Sequence, residues 1–179
     1  MFRSWINAIH NGRTKVEKSR AEIERLIVDF LHEHGEQYFT CALATCWENQ
    51  PRSTPVDARN DGLTMYFVAD PGGKIENIRK NPHVCLAVFI PVGKGYMKNA
   101  RGLQMWGRAS IITLADNPAE FEKGFKTIRL DEISMVSNSR PFPEEAKARI
   151  TIIKIVPHKI SYFISMGEKP VKYTWEAEN

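Results

Sequence analysis

Asp70-Pro71-Gly72-Gly73-Lys74-Ile75-Glu76-Asn77-Ile78-Arg79-Lys80-Asn81-Pro82 separates two apolar stretches, residues 63–69 and 83–90. The flanks read as strands, and the segment between them reads as a turn that opens a short helix, stopped by Asn81-Pro82. A helix N-terminus carries unpaired amides and a partial positive charge, so it suits an anion. Gly72 and Gly73 let backbone approach a ligand closely, and Lys74 adds a full charge. The stretch therefore reads as a small phosphate cradle between two strands. Taken alone, it reads equally well as a strand–helix–strand connection with a surface lysine.

Working outward, strand chemistry dominates. Residues 38–47 have the apolar content of a buried strand, and Glu48-Asn49-Gln50-Pro51 forms a turn. Residues 52–58 are extended, and Pro55 within them leaves backbone groups without a strand neighbour. Asn60-Asp61-Gly62 is a hairpin signal. Downstream, residues 91–100 form a polar loop. Residues 101–114 form a long strand, with Gly107 a natural bend or bulge. Asn117-Pro118 caps and starts a helix that runs to about residue 129. A mixed loop and short helix follow through residue 148. Residues 150–156 and 159–165 are β-rich and meet at Pro157, and residues 169–179 are a polar tail carrying Trp175.

Before the strands, Ile23, Leu26, Ile27, Phe30 and Leu31 recur at helical spacing and predict a helix over 14–35 with Gly35 as C-cap. Residues 1–13 are basic and weakly patterned, a flexible arm or a short extra helix. The expected organisation is an N-terminal arm and helix, 1–35, packed on one domain, 36–179. The fold class is mainly β with flanking helices. About six strands in an antiparallel meander can close into a small barrel.

Composition is that of a globular protein, with 42% hydrophobic and 26% charged residues in 179. No run of about 18 apolar residues predicts a membrane helix, and residues 1–10 lack the pattern of a secretory signal. A net charge of +4 and a pI near 9.0 suit an anionic ligand without demanding one. Cys41, Cys46 and Cys85 form neither a disulfide framework nor a metal spacing. They predict a reducing cytoplasm and no structural disulfide. His32 and His34 do not share a helix face, so no metal site is expected.

In this order and spacing, five elements resemble the FMN-binding split β-barrel family, the pyridoxamine 5′-phosphate oxidase-like flavoproteins. They are Cys41-Ala42-Leu43-Ala44-Thr45 after a helix, Pro51-Arg52-Ser53-Thr54-Pro55-Val56, Met65-Tyr66-Phe67-Val68, Gly73-Lys74 with Asn77 to Pro82, and Leu103-Gln104-Met105-Trp106-Gly107-Arg108-Ala109. The resemblance covers residues 39–114 well and the rest loosely. It implies a six-stranded antiparallel split barrel and a homodimer with FMN at the subunit interface. It further implies that Arg52, Ser53, Thr54, Pro55 and Val56 line the flavin and its phosphate. Phe67 and Val68 would supply backbone and packing, Lys74 would hold the phosphate beside Gly73, and Gln104 would approach the ring.

The residues' own chemistry agrees. A dianionic phosphate needs cations and amides, which Arg52, Lys74 and the glycine turn supply. A flavin's amide-like edge matches the donor and acceptor of Gln104. Three features depart from the family's oxidases. Asp57 stands where they carry a basic residue, Gly73 where they carry a second phosphate-side arginine, and the substrate-gripping Arg-His-Asp-rich C-terminal segment is absent. Synthesis of pyridoxal phosphate is therefore not expected.

The function expected is a flavin oxidoreductase acting on a small molecule. A non-catalytic flavin or haem carrier on the same fold is the alternative, with His83 or His158 as the only candidate haem ligands. Nucleic-acid binding would rest on Arg3, Arg13, Lys15, Lys18 and Arg20. It is not expected, because interleaved stacking aromatics are missing. No Gly-x-Ser-x-Gly elbow or paired-carboxylate motif suggests side-chain acid–base chemistry.

Overall fold

The structure, a computed structural model, describes residues 18–33, 39–90, 99–166 and 170–178. Helix α1 spans Arg20–Glu33. It starts later than the apolar periodicity alone predicts because Ser19 and Glu22 form a capping box. Ser19 Oγ and N donate to Glu22 Oε2 at 2.8 Å, and Glu22 N donates to Ser19 Oγ at 3.3 Å. Gly35 and the basic arm, with Arg3, Arg13 and Lys15, lie outside the described residues.

Strands β1 (Phe39–Trp47), β2 (Gln50–Asp61), β3 (Thr64–Val68), β4 (His83–Phe89), β5 (Asn99–Thr113) and β6 (Thr151–Met166) pair antiparallel throughout. The spatial order is β3-β2-β1-β4-β5-β6, and a β3–β6 pairing closes these six into the expected barrel. Glu48 and Asn49, with φ of 50° and 58°, make the two-residue turn between β1 and β2. Gln50 and Pro51, read as part of that turn, already belong to β2.

Two expectations need correcting. The β-rich segments 150–156 and 159–165 are one strand, β6, not two. Its outer edge pairs with β3 at Ile152–Ile155 and with a further strand at Lys159–Ile164, and Pro157, which has no N–H for a ladder, sits at the handover. The same place carries the expected bulge. The β5–β6 register shifts between Trp106 and Gly107, leaving His158 as the extra residue. Second, the tail is not merely polar: Val171–Glu176 is that further strand, β7, added to β6 outside the closed barrel.

The barrel interior holds Leu43, Met65, Phe67, Leu86, Met105, Ile153, Ile155 and Ile160, all fully buried, with Ile27, Phe30 and Leu31 of α1 closing one end. Each such side chain contributes about 1.5–3 kcal/mol by leaving water. Between β3 and β4 runs α2 (Gly73–Lys80). After β5 come α3 (Pro118–Ile128), α4 (Leu130–Asn138) and α5 (Glu144–Lys147). Asn117 Oδ1 caps α3 by accepting from Glu120 N at 3.1 Å. Phe121, Phe125 and Ile128 of α3 form a second, smaller core with Tyr66, Ile112 and Ile152 on the outside of β3, β5 and β6. Where a mixed loop and one short helix are expected after α3, two helices, α4 and α5, stand.

Candidate functional site

The closed barrel leaves part of one edge of β2 without a strand partner among the described residues. β2 pairs with β1 at residues 50–58 and with β3 only at Arg59, Asn60 and Asp61. Among the described residues no strand pairs with the other edge of residues 50–58. That edge presents backbone donors and acceptors, less the N–H that Pro55 lacks. A cleft of about 340 Å³ runs along it, lined by Pro55, Val56, Asp57, Arg59, Val68, Asp70 and Lys74 on the barrel side and by Ile128, Leu130 and Ile133 of the α3–α4 corner opposite.

Helix α2 enters at one end of this cleft and is firmly seated. Ile75 and Ile78 are buried, Asn77 Nδ2 donates to Thr45 Oγ1 at 3.1 Å, and Asn81 Nδ2 donates to Cys46 O at 3.0 Å. Its N-cap, Gly72, has φ 144° and ψ −171°, a conformation essentially closed to other residues. Gly73 is needed for a different reason. A Cβ there would lie 2.7 Å from Nη2 of Arg52 and 2.8 Å from its Cζ. The Arg52 guanidinium is thus folded against the first residue of α2, in the space where a side chain at position 73 would stand. Lys74 Nζ reaches back to Asp70 O at 3.1 Å.

The predicted site residues therefore divide. Arg52 and Gly73 are in contact, and Pro55, Val56, Val68 and Lys74 line the cleft. Thr54 shares the inner side of β2 with Val56; its Oγ1 is buried without a hydrogen-bond partner among the described residues, an unmet polar group of the kind a ligand or water satisfies. Ser53 faces outward and is exposed. Phe67 does not reach the cleft with its side chain, which is fully buried in the barrel; its neighbour Val68, facing the other way, does. Gln104 is elsewhere, on the outer face of β5 in a groove of about 450 Å³ with Phe89, Phe163 and Lys172.

That outer face has an unusual composition. Alternation along β1, β4 and β5 points Ala42, Ala44, Cys46, Cys85, Ala87, Phe89 and Trp106 outward, where a solvated sheet face would be polar. Phe89 is 55% and Phe163 41% exposed. The face adjoins the cleft, because outward-facing Ala42 is the cross-strand partner of Pro55. His83 and His158 both line a further groove on it, with Cys46, Cys85 and Trp106. Burial pushes the Cys85 thiol pKa up.

Residues that sequence reasoning missed are Arg59, Asp70, Ile128, Leu130 and Ile133. The last three come from a corner made by Arg129, whose left-handed backbone (φ 64°, ψ 39°) ends α3 and starts α4. α3 is held there by a polar contact as well as its core. Tyr66 Oη donates to Glu120 Oε1 at 2.8 Å, and Lys154 Nζ lies 3.0 Å from the same oxygen. Burial and that carboxylate raise the Tyr66 pKa, while Lys154 first and Tyr66 next lower that of Glu120.

This six-stranded antiparallel barrel is an architecture shared with known proteins. The chain belongs to the pyridoxamine 5′-phosphate oxidase family, whose model matches residues 23–163. It is similar to a Listeria innocua protein provisionally assigned as a pyridoxamine 5′-phosphate oxidase, at 25% identity and TM-score 0.58, over 78% of this chain and 97% of that one. A Nostoc punctiforme protein described as pyridoxamine 5′-phosphate oxidase-related and FMN binding shares the fold at 14% identity and TM-score 0.63, over 87% and 91% of the two chains. So does a Mesorhizobium loti FAD-binding protein, at 19% identity and TM-score 0.54, over 74% and 91%. No curated protein sequence matches the chain. No helix among the described residues is long and apolar enough to cross a membrane.

Proposed function

We propose that this protein binds FMN in the β2 cleft of a two-fold homodimer and acts as an oxidoreductase on a small molecule. The observation that carries the reading is the Arg52 guanidinium laid on Gly73 beside Lys74. By the resemblance, position 73 is where the family's oxidases carry a second phosphate-side arginine. Here that place is Gly73 and the Arg52 guanidinium lies in the space it leaves, so the cradle has two cations, Arg52 and Lys74, at a helix N-terminus. FMN, when bound, supplies the hydride and electron chemistry. The chain supplies placement: cations for the phosphate, the open β2 edge for the polar rim of the ring, and Pro55, Val56 and Val68 for its faces.

A cradle that reads phosphate predicts strong discrimination. A hydrogen bond to a charged group contributes about 1.5–3 kcal/mol, and two of them, from Arg52 and Lys74, about 3–6 kcal/mol, so FMN should bind the apoprotein at least about a hundredfold more tightly than riboflavin. Calorimetric titration with both ligands measures this, and equal affinities would refute the reading. The visible spectrum of the purified protein separates it from the haem alternative, since flavin bands support it and a Soret band does not.

The dimer reading is supported by the apolar outer face of β1, β4 and β5, which needs covering, and by its contact with the cleft through Ala42 and Pro55. Pairing two such faces around a two-fold axis hides Phe89 and Trp106. It also offers Gln104 of the partner subunit a route to the ring that Gln104 lacks within one chain. Sedimentation velocity at micromolar concentration should show a dimer only. An FMN-loaded monomer would refute a shared site.

A further inference from the structure

We infer that the groove on the outer face of β4, β5 and β6 is the seat of the small-molecule substrate, and that this substrate is a planar aromatic acid. The groove is built within one chain; its role as the substrate seat rests on the flavin and dimer reading above. Cross-strand pairing lays the groove out in two rows. In the first, Phe89 of β4 stands opposite Gly102 of β5, Gly102 opposite Phe163 of β6, and Phe163 opposite Lys172 of β7. The two phenylalanines are thus two strand spacings apart, about 9.5 Å, with no side chain between them. A ring in van der Waals contact with both needs about 7–8 Å. The chain itself leaves this middle place empty for a steric reason: a Cβ on Gly102 would lie 3.0 Å from Val88 O and 3.4 Å from Cβ of Phe89. Phe89 and Phe163 are both exposed and make no ring contact with each other among the described residues. They wall a slot one planar ring thick.

The second row supplies polar groups. Gln104 of β5 and Ser161 of β6 stand opposite each other and both line the groove. Ser161 is only 7% exposed, and its hydroxyl has no hydrogen-bond partner among the described residues. A buried hydroxyl left unpaired is costly, and a ligand oxygen relieves that cost. Gln104 and Lys172 make no side-chain hydrogen bond or ion pair among the described residues either. The groove's other cation, Arg101, is held by Glu33 through two hydrogen bonds of 2.7 and 2.9 Å. No Asp or Glu lines the groove. Hydroxyl, amide and ammonium donors thus border an aromatic slot, the complement of a carboxylate carried on a flat ring. In the dimer reading this is the face that meets the partner, and Gln104 is the side chain that reaches the partner's flavin. A ring held in the neighbouring row, between Phe89 and Phe163, then meets that flavin.

Three probes separate the ring from the charge: 2-naphthoate, the neutral 2-naphthylmethanol and the saturated decalin-2-carboxylate. Each is titrated calorimetrically at low salt into FMN-loaded protein and, separately, into flavin-free protein. 2-Naphthoate should bind most tightly in both, by roughly two- to fivefold over the alcohol, the scale of a partly exposed charge pair, and by roughly fivefold or more over the saturated acid. Phe163→Leu should erase the preference for the flat ring and keep the preference for charge. Lys172→Gln should do the reverse, and Lys172→Glu should place the alcohol ahead of the acid. In FMN-loaded protein, 2-naphthoate should also shift the flavin absorption band. No binding by 2-naphthoate, or preferences unmoved by the Phe163 and Lys172 variants, would overturn the inference. So would binding without a shift of the flavin band, which puts the slot away from the ring, and binding abolished by FMN, which makes the flavin the occupant of the slot. A protein that never loads FMN, yet shows both preferences, refutes the flavin reading and leaves the aromatic-acid slot standing.

Discussion

Lys74→Ala is expected to weaken FMN binding by about 1.5–3 kcal/mol, the range for a hydrogen bond to a charged group. The apoprotein should lose almost no stability. The hydrogen bond Lys74 makes within the chain is to Asp70 O at an exposed site, and α2 is seated by Ile75, Ile78, Asn77 and Asn81 instead. Lys80→Ala is the control. It lies at the other end of α2, roughly 9 Å along the axis at 1.5 Å per residue, near one Debye length at physiological salt. It should change FMN binding little. If Lys74 and Lys80 behave alike, long-range charge explains the loss and no local cradle exists. Gly73→Ala reaches the same site by another route. Its methyl group would stand 2.7 Å from Arg52 Nη2, so the guanidinium must swing away. Because that is the free end of a flexible side chain, stability should hold while FMN affinity falls by about 1 kcal/mol or more. Riboflavin affinity, which involves no phosphate, should respond to none of the three. A uniform loss for both ligands would show that the variants disturb the cleft and not the phosphate.

Much of this arrangement was legible because local chemistry and tertiary structure agree in it. The Gly72-Gly73-Lys74 turn, the Asn117-Pro118 cap of α3 and the bulge at Gly107 are each fixed by backbone requirements that a few residues announce. What was not legible depends on partners far apart in sequence. Nothing in residues 52 or 73 alone says that one guanidinium occupies the other's side-chain space. Phe67 and Val68 are equivalent as apolar strand residues until the register shows one pointing into the barrel and one into the cleft. Gln104 is expected near the ring by motif position, and only alternation along β5 shows that it stands on the outer face, away from the β2 cleft within one chain. The α3–α4 corner was hidden for a related reason. Its turn is made by Arg129, a residue with no intrinsic preference for left-handed backbone, so no glycine or asparagine marks the place.

The tail shows the same limit most clearly, and it can be tested by the second large effect. Lys172, Thr174 and Glu176 face solvent, so the segment reads as polar, but Val171, Tyr173 and Trp175 alternate inward and make β7. Trp175 stands opposite Ile160 and is only 6% exposed. Its Nε1 donates to Glu24 Oε2 at 2.8 Å, and the Arg20 guanidinium lies 5.2 Å from its ring centroid. Both partners are on α1, so one side chain ties the last strand to the first described helix across the barrel end. Trp175→Ala should cost about 3–5 kcal/mol in urea unfolding, the range for truncating a buried large aromatic. Trp175→Phe keeps most of the buried area and loses the donor to Glu24, so it should cost about 1.5–3 kcal/mol. The slope of the unfolding curve decides what kind of loss this is. An unchanged slope with a lower midpoint means that α1, β7 and the barrel unfold as one unit. A reduced slope means that α1 and β7 detach first and the closed six-strand barrel survives them. A cost within about 0.5 kcal/mol, typical of a surface position, would show that β7 adds nothing to the barrel. The link between α1 and the strands would then run through Ile27, Leu31 and Phe30, whose ring centroid lies 5.0 Å from that of Tyr162, and through the Glu33–Arg101 ion pair at 2.7 Å.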